Sequence, residues 1–379
     1  MQIDVPATLL GGLSPATFMR RHWQKKPLLV RQAMPGVAPP LPRAALFDLA
    51  GSDDVESRLV VRDGDGWAVR HGPLPRRALP PARQPGWTLL VQGLDLHVPA
   101  AHRLLDPFRF VPAARLDDLM MSWASDGGGV GPHLDAYDVF LIQVHGRRRW
   151  RVGRAADRRW VEGLPLKILR HFEPEQEWLL EPGDMLYLPP LWAHDGVAEG
   201  ECMTCSVGFR APSTAELARQ LLQRLGDESD DDDGSAIIYR DKDQPATAHP
   251  GALPPALTDF ARRAVLDLLD RPGELERALG EVLTEPKPEV WFPPAEDDVG
   301  PAAGLAAVEL DARTRMVYDG RHVYINGESF RAGGRDARLM RTLADERVLS
   351  RASRAALSSE ASMLVDDWLA HGWLRRSVQ

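Results

Sequence analysis

The spacing of apolar positions changes character at Pro212 and again after Glu285. Up to Phe209, apolar residues alternate with polar ones or form short runs, and Gly or Pro interrupts them repeatedly. That rhythm predicts strands bounded by turns. Lys26–Val30 is one such run. Arg58–Val61 and Trp67–Val69 form a hairpin about the turn Asp63-Gly64-Asp65-Gly66, and Trp87–Val91 follows. Between Met120 and Phe209 the signals are dense: Ser122-Trp123, Val139–Ile142, Trp150–Val152, Leu164–Phe172, Glu177–Leu180, Met185–Leu188 and Met203–Phe209. Two helices interrupt the pattern. Ser14 caps one with Pro15 in its first turn, and a helix-like piece starts near Pro112 and runs to Met121. Pro35 to Pro42 is loop. Many short strands between Gly/Pro turns predict an all-β sandwich or barrel, and a jelly roll is one solution.

After Pro212 the period becomes helical. Ser213-Thr214-Ala215-Glu216 is a capping box, and Leu217, Leu221, Leu222 and Leu225 follow on one face. Further helices are predicted over 254–269, with Phe260, Ala264 and Leu268 on one stripe, and over 274–283. Between them, the run from Asp227 to Gly234 is too acidic to pack and reads as a polar loop. Glu285 to Pro301 is a Pro-rich linker. The remainder predicts a small α+β module: strands over 316–318, 322–325 and 328–331 with an Asn326-Gly327 turn, then helices over 337–345 and 357–370 stopped by Gly372. A winged helix would satisfy that order. The chain thus divides into 1–211, a helical region 212–284, and 285–379.

Composition narrows the class without naming it. At 379 residues, 44% hydrophobic and 26% charged, the chain is long enough for two or three folded domains. No apolar run approaches the roughly 20 residues of a membrane span, and the first residues carry no basic start before an apolar core, so no secretory leader is expected. Cys202 and Cys205 are the only cysteines, which offers no disulfide framework and fits a reducing cytoplasm. A net charge of −8 disfavours direct nucleic-acid binding and suits a basic protein partner.

The chemistry concentrates in Gly127–Trp150, GGGVGPHLDAYDVFLIQVHGRRRW. His133 and Asp135 are two residues apart at the start of an apolar strand, so both side chains project from one face. An imidazole and a carboxylate placed so are adjacent ligands of one metal, and His194 in LPPLWAHDG offers the third. Two histidines and a carboxylate with open positions suit non-haem Fe(II) oxygenases. A bare His-x-Asp is weak by itself, and most such pairs only satisfy local hydrogen bonds. His145 and His171 lack a carboxylate so placed and read as structural. In Gly146-Arg147-Arg148-Arg149-Trp150-Arg151-Val152, alternation puts Arg148 on the inward face with Trp150 and Val152, while Arg147, Arg149 and Arg151 face water. An inward guanidinium needs an anion, and a dicarboxylate cosubstrate would supply it. Cys202 and Cys205, an odd spacing apart on a strand, fall on opposite faces and make no zinc pair. The glycine run precedes strand, not helix, so it is no phosphate loop; backbone freedom or close approach of a peptide explains it better.

GGGVGPHLDAYDVFLIQVHGRRRWRVG, LEPGDMLYLPPLWAHDG, CSVGFRAPSTAEL and the opening LSPATFMRRHWQKKPLLVRQA together resemble the bacterial ribosomal oxygenases, cupin-fold JmjC-type hydroxylases. The match runs over most of the first 220 residues. The resemblance implies an α+β chain: a double-stranded β-helix (cupin/JmjC jelly roll), a helical dimerisation region and a C-terminal winged-helix-like domain. It implies Fe(II) held by His133, Asp135 and His194, 2-oxoglutarate with its far carboxylate on Arg148, and O2 as second cosubstrate. The implied activity is hydroxylation of an arginine of large-subunit ribosomal protein sixteen, by a cytoplasmic homodimer. Tyr137, Asp138 and Ser206 are candidates for binding the substrate peptide, with ordinary strand hydrogen bonding as the bland alternative. Val144-His145-Gly146 and Ala124 depart from the family pattern and bear on cosubstrate and substrate contacts. Competing functions are an idle cupin scaffold, a small-molecule dioxygenase or isomerase, a histidine hydroxylase, and a demethylase of methylated lysine or arginine.

Overall fold

The computed structural model describes residues 2–64, 66–227, 237–293 and 306–377. Most of the predicted acidic run, from Glu228, and the linker from 294 lie outside the described residues. The chain forms two compact units, Met1–Ala211 with Pro288–Trp291, and Pro212–Lys287 with Phe292–Gln379. Among the described residues, no helix is long and apolar enough to cross a membrane.

The first unit is built on one nine-stranded sheet that wraps on itself. Its strands are β1 (Leu28–Val30), β2 (Ser57–Asp63), β3 (Gly66–His71), β4 (Trp87–Val91), β5 (Leu116–Ala124), β6 (Asp138–Arg154), β7 (Gln176–Leu180), β8 (Met185–Leu188) and β9 (Trp192–Phe209). Their order is β1-β8-β6-β9-β5-β4-β2-β3, with β7 also paired to β6. Helices α1 (Pro15–Arg21), α2 (Arg43–Leu49), α3 (Leu94–His97) and α4 (Pro99–Arg103) accompany it. Ser14 caps α1 by accepting from the Thr17 amide at 3.2 Å, as its position before Pro15 predicts.

Alternation sorts the side chains of these strands into two cores. Leu119, Met121 and Trp123 of β5, Phe140 and Ile142 of β6, and Met203, Cys205 and Val207 of β9 pack with Phe18 and Trp23 from the N-terminal segment. On the opposite face Val139, Leu141, Trp150, Val152, Leu180, Leu186 and Leu188 form a second cluster. Burial of this many aliphatic and aromatic groups, each worth about 1.5–3 kcal/mol, is the main force closing the sheet.

β6 and β9 are the spine. They pair antiparallel from Asp138↔Phe209 to Arg154↔Trp192, with register shifts between Gln143 and Arg147. The odd residues Val139 and Leu141 face the second core before the break, and the even residues Trp150 and Val152 face it afterwards. Gly146 makes this possible. Its φ is +60°, and a Cβ there would lie 2.0 Å from the Glu201 carbonyl oxygen. A bulge flips strand parity, and only glycine fits this one.

Two expectations fail here. Residues 112–121 form a short 3-10 turn at Ala113–Arg115 and then β5, not a helix. The stripe that suggested a helix is a strand with apolar residues on both faces, a pattern that periodicity separates poorly from a helix. Residues 164–172 contribute one isolated bridge, Trp160↔Leu169, instead of a strand. The segment is nevertheless fastened, because the Leu169 amide donates to the Pro132 carbonyl at 2.8 Å.

The second unit contains helices α5 (Thr214–Asp227), α6 (Pro255–Leu269) and α7 (Glu274–Thr284). It continues with β10 (Val308–Leu310), β11 (Met316–Tyr318), β12 (His322–Ile325), β13 (Glu328–Arg331), α8 (Gly334–Glu346), β14 (Val348–Leu349), α9 (Arg351–Ala355), α10 (Ser359–Ala370) and β15 (Leu374–Arg376). Two three-stranded sheets, β14-β10-β15 and β11-β12-β13, share a core of Val308, Val323, Ile325, Leu343, Val365 and Trp368 with α8 and α10. Asn326 (φ +48°) and Gly327 (φ +90°) turn the predicted hairpin. α7 is docked onto that hairpin. Its Gly280 leaves room for the Tyr324 ring, and Ser329 donates to Glu281 at 2.6 Å. α6, by contrast, has no buried residue.

Candidate functional site

The site is assembled by a backbone bridge. His133 and His194 exchange amide hydrogen bonds, His133 N to His194 O at 3.0 Å and His194 N to His133 O at 3.1 Å. Opposed residues of an antiparallel pair point their side chains to one side, and the two imidazole centroids are 4.2 Å apart. The Leu191 amide donates to the Asp135 carbonyl at 2.8 Å, which extends the contact and brings Asp135 to the same edge. β6 itself begins only at Asp138, so His133 and Asp135 belong to a bridged approach segment.

The glycine run explains how that segment comes so close. Cβ atoms on Gly128 and Gly129 would strike the Trp87 and Gly196 carbonyl oxygens at 2.4 and 2.5 Å. Gly127 and Gly128 also exchange backbone bonds with Ala198, at 3.0 and 2.9 Å. The glycines press against the chain's own backbone, so the close approach expected of a peptide substrate is made here by β4 and β9 instead.

His133, Asp135 and His194 present three ligand atoms within 4.8 Å of one another. Asp135 Oδ2 lies 3.7 Å from His133 Nε2 and 3.5 Å from His194 Nε2. Adjacent ligands of an octahedral ion with bonds near 2.1 Å are roughly 3 Å apart, so a small contraction would close the triad on a metal. The tautomers are already set. Nδ1 of His133 lies 2.9 Å from the Gly131 carbonyl and Nδ1 of His194 lies 2.9 Å from the Trp192 carbonyl. A carbonyl only accepts, so Nδ1 carries a proton in each ring and Nε2 is the atom turned toward Asp135.

The electrostatics treat the two rings differently. Burial opposes a charged Asp135, but the His194 hydrogen bond, the two imidazoles and the Tyr137 hydroxyl outweigh it and hold the carboxyl at about 2. Burial, then the neighbouring His194, lowers the pKa of His133. For His194, burial is outweighed by Asp135, and its pKa is raised. An ionised carboxylate beside two Nε2 atoms, one of them free to exchange its proton for a metal, is the donor set a divalent transition ion takes.

Arg148 stands on the same face. It pairs with Ala198 two residues before Trp150 pairs with Gly196, and Val152 pairs with His194 itself. The residue is 5% exposed, and its Nε and Nη2 atoms have no hydrogen-bond partner. Its guanidinium carbon sits 5.7 Å from the Trp150 ring, whose centroid is 5.8 Å from the His194 ring. A buried guanidinium with empty donors is costly unless an anion completes it. Arg149 and Arg151, on the outward face, pair instead with Glu199 and Glu177, and with Asp195.

The remaining predicted residues separate. Tyr137 hydrogen-bonds Asp135 and feels the charges of Asp118 and Arg58; burial, then Asp135, raises its pKa well above the ordinary value. Ser206 is 6% exposed and lies opposite Leu141 and Met120, on the face of β9 that carries His194. Asp138 is elsewhere. It is fully buried and accepts from Tyr187 at 2.6 Å, Gln24 at 3.0 Å and Arg115 at 3.3 Å, tying the N-terminal segment to the sheet. Its expected contact with substrate is corrected to this structural one, because it shares the face of Phe140 and Ile142. His145 is exposed, and His171 pairs with Glu173 at the surface at 3.2 Å. The cysteines are buried on opposite faces, and burial pushes the Cys205 thiol up to about 12. Asp118, which accepts from the Gly93 amide at 3.0 Å, is a buried carboxylate the sequence did not single out. Its one signal was a charge within the apolar stripe of β5.

Comparison with known proteins agrees with this layout. Residues 103–217 match the family described as JmjC domain, and residues 267–375 match the ROXA-like winged helix. The chain is 38% identical over 336 residues to the "Ribosomal protein uL16 3-hydroxylase" of Escherichia coli, covering 84% of this chain and 86% of that protein. The chain belongs to the bacterial ribosomal oxygenases. The fold is accordingly the JmjC/cupin barrel with a ROXA-like winged helix. The crystal structure of E. coli YcfD superposes with a TM-score of 0.84 at 32% identity, over 96% of this chain and 98% of that one. YcfD has also been solved with cobalt and 2-oxoglutarate, and that structure gives a TM-score of 0.79 at 33% identity over 94% and 96% of the two chains.

Proposed function

We propose that this ribosomal oxygenase hydroxylates an arginine side chain of large-subunit ribosomal protein uL16, using Fe(II), 2-oxoglutarate and O2. The observation that carries the reading is the pairing of a two-histidine, one-carboxylate triad with an unpaired buried guanidinium on the same face. His133, Asp135 and His194 would hold the ion, and two imidazoles with one carboxylate fit Fe(II). Once bound, the ion supplies the redox chemistry that couples oxidative decarboxylation of 2-oxoglutarate to hydroxylation of a C–H bond.

The protein's own groups do the rest. Arg148 would fix the far carboxylate of 2-oxoglutarate through two parallel N–H bonds, which orients its oxo-acid end toward the triad. The Trp150 ring, 5.7 Å from the Arg148 guanidinium carbon and 5.8 Å from the His194 ring, lines the face between them. Tyr137 holds Asp135 by a hydrogen bond and stands at the side of Asp118. A carboxylate there suits the guanidinium of a target arginine, and Ser206 offers a further hydroxyl on that face.

The homodimer belongs to the same proposal. α6 has no fully buried residue and exposes Val265 at 45% and Leu266 at 49%, and Leu222 of α5 is 42% exposed. Apolar surface of this kind is best covered by a second copy. A cytoplasmic location suits two buried free cysteines and a ribosomal substrate.

The test is anaerobic reconstitution with Fe(II) and 2-oxoglutarate, addition of uL16 or a peptide of it, then O2 and mass spectrometry. Gain of one oxygen on an arginine, absent from Asp135→Ala, is expected. Oxidation that proceeds without 2-oxoglutarate would contradict the reading.

A further inference from the structure

Besides Arg148 and the Trp150 indole nitrogen beside it, two buried polar atoms on the strands that continue this face lack partners. They are Nε of Arg58 on β2 and Oε1 of Gln92, the residue after β4. Native interiors leave few such atoms unpaired, so a donor and an acceptor left open on one face call for an explanation.

Their placement is set by the sheet. Arg58 pairs with Leu90, and Gln92, two residues beyond Leu90, continues the same face. Leu90 lies opposite Ser122, Ser122 opposite Thr204, and Thr204 opposite Gln143. Along β9, Thr204 and Ser206 share the face of His194, so Arg58 and Gln92 open onto the same interior. A second tie runs through Asp118, which binds the amide of Gly93 next to Gln92. Asp118 and Arg58 both act electrostatically on Tyr137, the neighbour of Asp135. This corner lies at the far side of the sheet from Arg148, with β9, β5 and β4 between β6 and β2.

One atom is a donor and the other an acceptor. A neutral partner with both a carbonyl and an N–H fits, and one residue of an extended main chain presents both to the same side. We propose that Arg58 and Gln92 dock one extended residue of the polypeptide substrate, Arg58 Nε–H donating to that residue's carbonyl and Gln92 Oε1 accepting from its N–H, since both groups of an extended residue point to one side. The pair would hold the substrate backbone while the target side chain reaches the triad. The inference rests on the substrate being a polypeptide, as proposed above.

Calorimetry on the full chain loaded with Zn(II) and 2-oxoglutarate, which does not turn over, tests it. The titrants are a uL16 peptide that spans the hydroxylated residue and a set of copies N-methylated at one amide each. Arg58→Met and Gln92→Met should each weaken peptide binding roughly tenfold, the loss of one hydrogen bond. Both should leave 2-oxoglutarate affinity within about twofold, which also reports that the variants are folded. One N-methylated peptide should lose the same factor against wild type and lose nothing further against Gln92→Met. Unchanged peptide affinity in both variants would mean that the recess holds water only, and would overturn the proposal. Loss of 2-oxoglutarate affinity alongside peptide affinity would overturn it too, by making the pair a structural support. Failure of wild type to bind peptide while still binding 2-oxoglutarate would sink the substrate reading, and the docking pair with it.

Discussion

Replacing Arg148 with Met should make the protein more stable when empty and far weaker for 2-oxoglutarate. The guanidinium is 5% exposed, and two of its nitrogens have no partner. Leaving polar donors buried and unpaired costs on the order of 1–3 kcal/mol, and more for a charged group. Methionine fills similar volume without that cost, so the first unit should gain about 1–3 kcal/mol without ligand. With ligand the sign reverses. Breaking a buried guanidinium–carboxylate pair costs about 3–5 kcal/mol, which is roughly a hundredfold to several-thousandfold in Kd. Linkage gives the readout. At 2-oxoglutarate a hundred times its wild-type Kd, the wild type gains about 2.7 kcal/mol, whereas a variant weakened a hundredfold gains about 0.4 kcal/mol. The assay is chemical unfolding of metal-loaded protein with and without 2-oxoglutarate, beside direct calorimetry. A variant less stable when empty, with ligand affinity unchanged, would show that Arg148 is a structural residue and refute the reasoning.

Further outcomes are expected elsewhere in the chain. Gly146→Ala places a Cβ 2.0 Å from the Glu201 carbonyl at φ +60°; stability should fall by about 2 kcal/mol or more. Because this bulge turns Arg148 inward, 2-oxoglutarate affinity should fall as well, and a variant with both intact would remove the bulge from the account. Asp184 accepts from the Gln32 and Glu181 amides, at 3.0 and 3.1 Å, and pairs with Arg31 at 2.6 Å. Burial opposes its charge but these contacts prevail, so its pKa is lowered. Its stabilisation is therefore complete above the ordinary carboxylate range and is lost as pH falls through that range and below. Asp184→Asn should cost about 1–3 kcal/mol at neutral pH and flatten the acid limb of a denaturation profile; a parallel profile would refute this. Val265→Asp with Leu266→Asp, both on exposed positions of α6, should yield a folded monomer by light scattering; an unchanged dimer would place the interface elsewhere.

Much of the site was legible because its signals are local. His133 and Asp135 share a face by spacing alone, and the run from Arg147 to Val152 alternates cleanly enough to pick out Arg148 from its neighbours. The relation between these two pieces was not legible, since strict alternation from Val139 would have put Arg148 on the face of Phe140 and Ile142. The bulge at Gly146 resolves it, and a glycine inside a strand was its only trace. The pairing of His133 with His194 is a long-range backbone bridge that no local pattern encodes. Asp138 went astray for the reverse reason: adjacency to Asp135 in sequence says nothing of the face once a strand begins between them. Asp118 and Arg58 lie on strands, and Gln92 just after one, whose faces mix apolar and polar residues, so their common side is set only when the strands pair. In the second unit, the Asn326-Gly327 hairpin and the long helices were legible from turn chemistry and period. The three short strands of the β14-β10-β15 sheet, two or three residues each, carry too few positions to alternate.

The most direct test of the central claim is incubation of Fe(II)-loaded protein with uL16, 2-oxoglutarate and isotopically heavy O2, followed by mass spectrometry of both products. The account predicts one heavy oxygen on an arginine of uL16 and one in succinate, in equal yield, with neither formed by His194→Ala. Heavy succinate without modified uL16 would contradict the proposed substrate. Modified uL16 whose new oxygen derives from water would contradict the oxygenase mechanism itself.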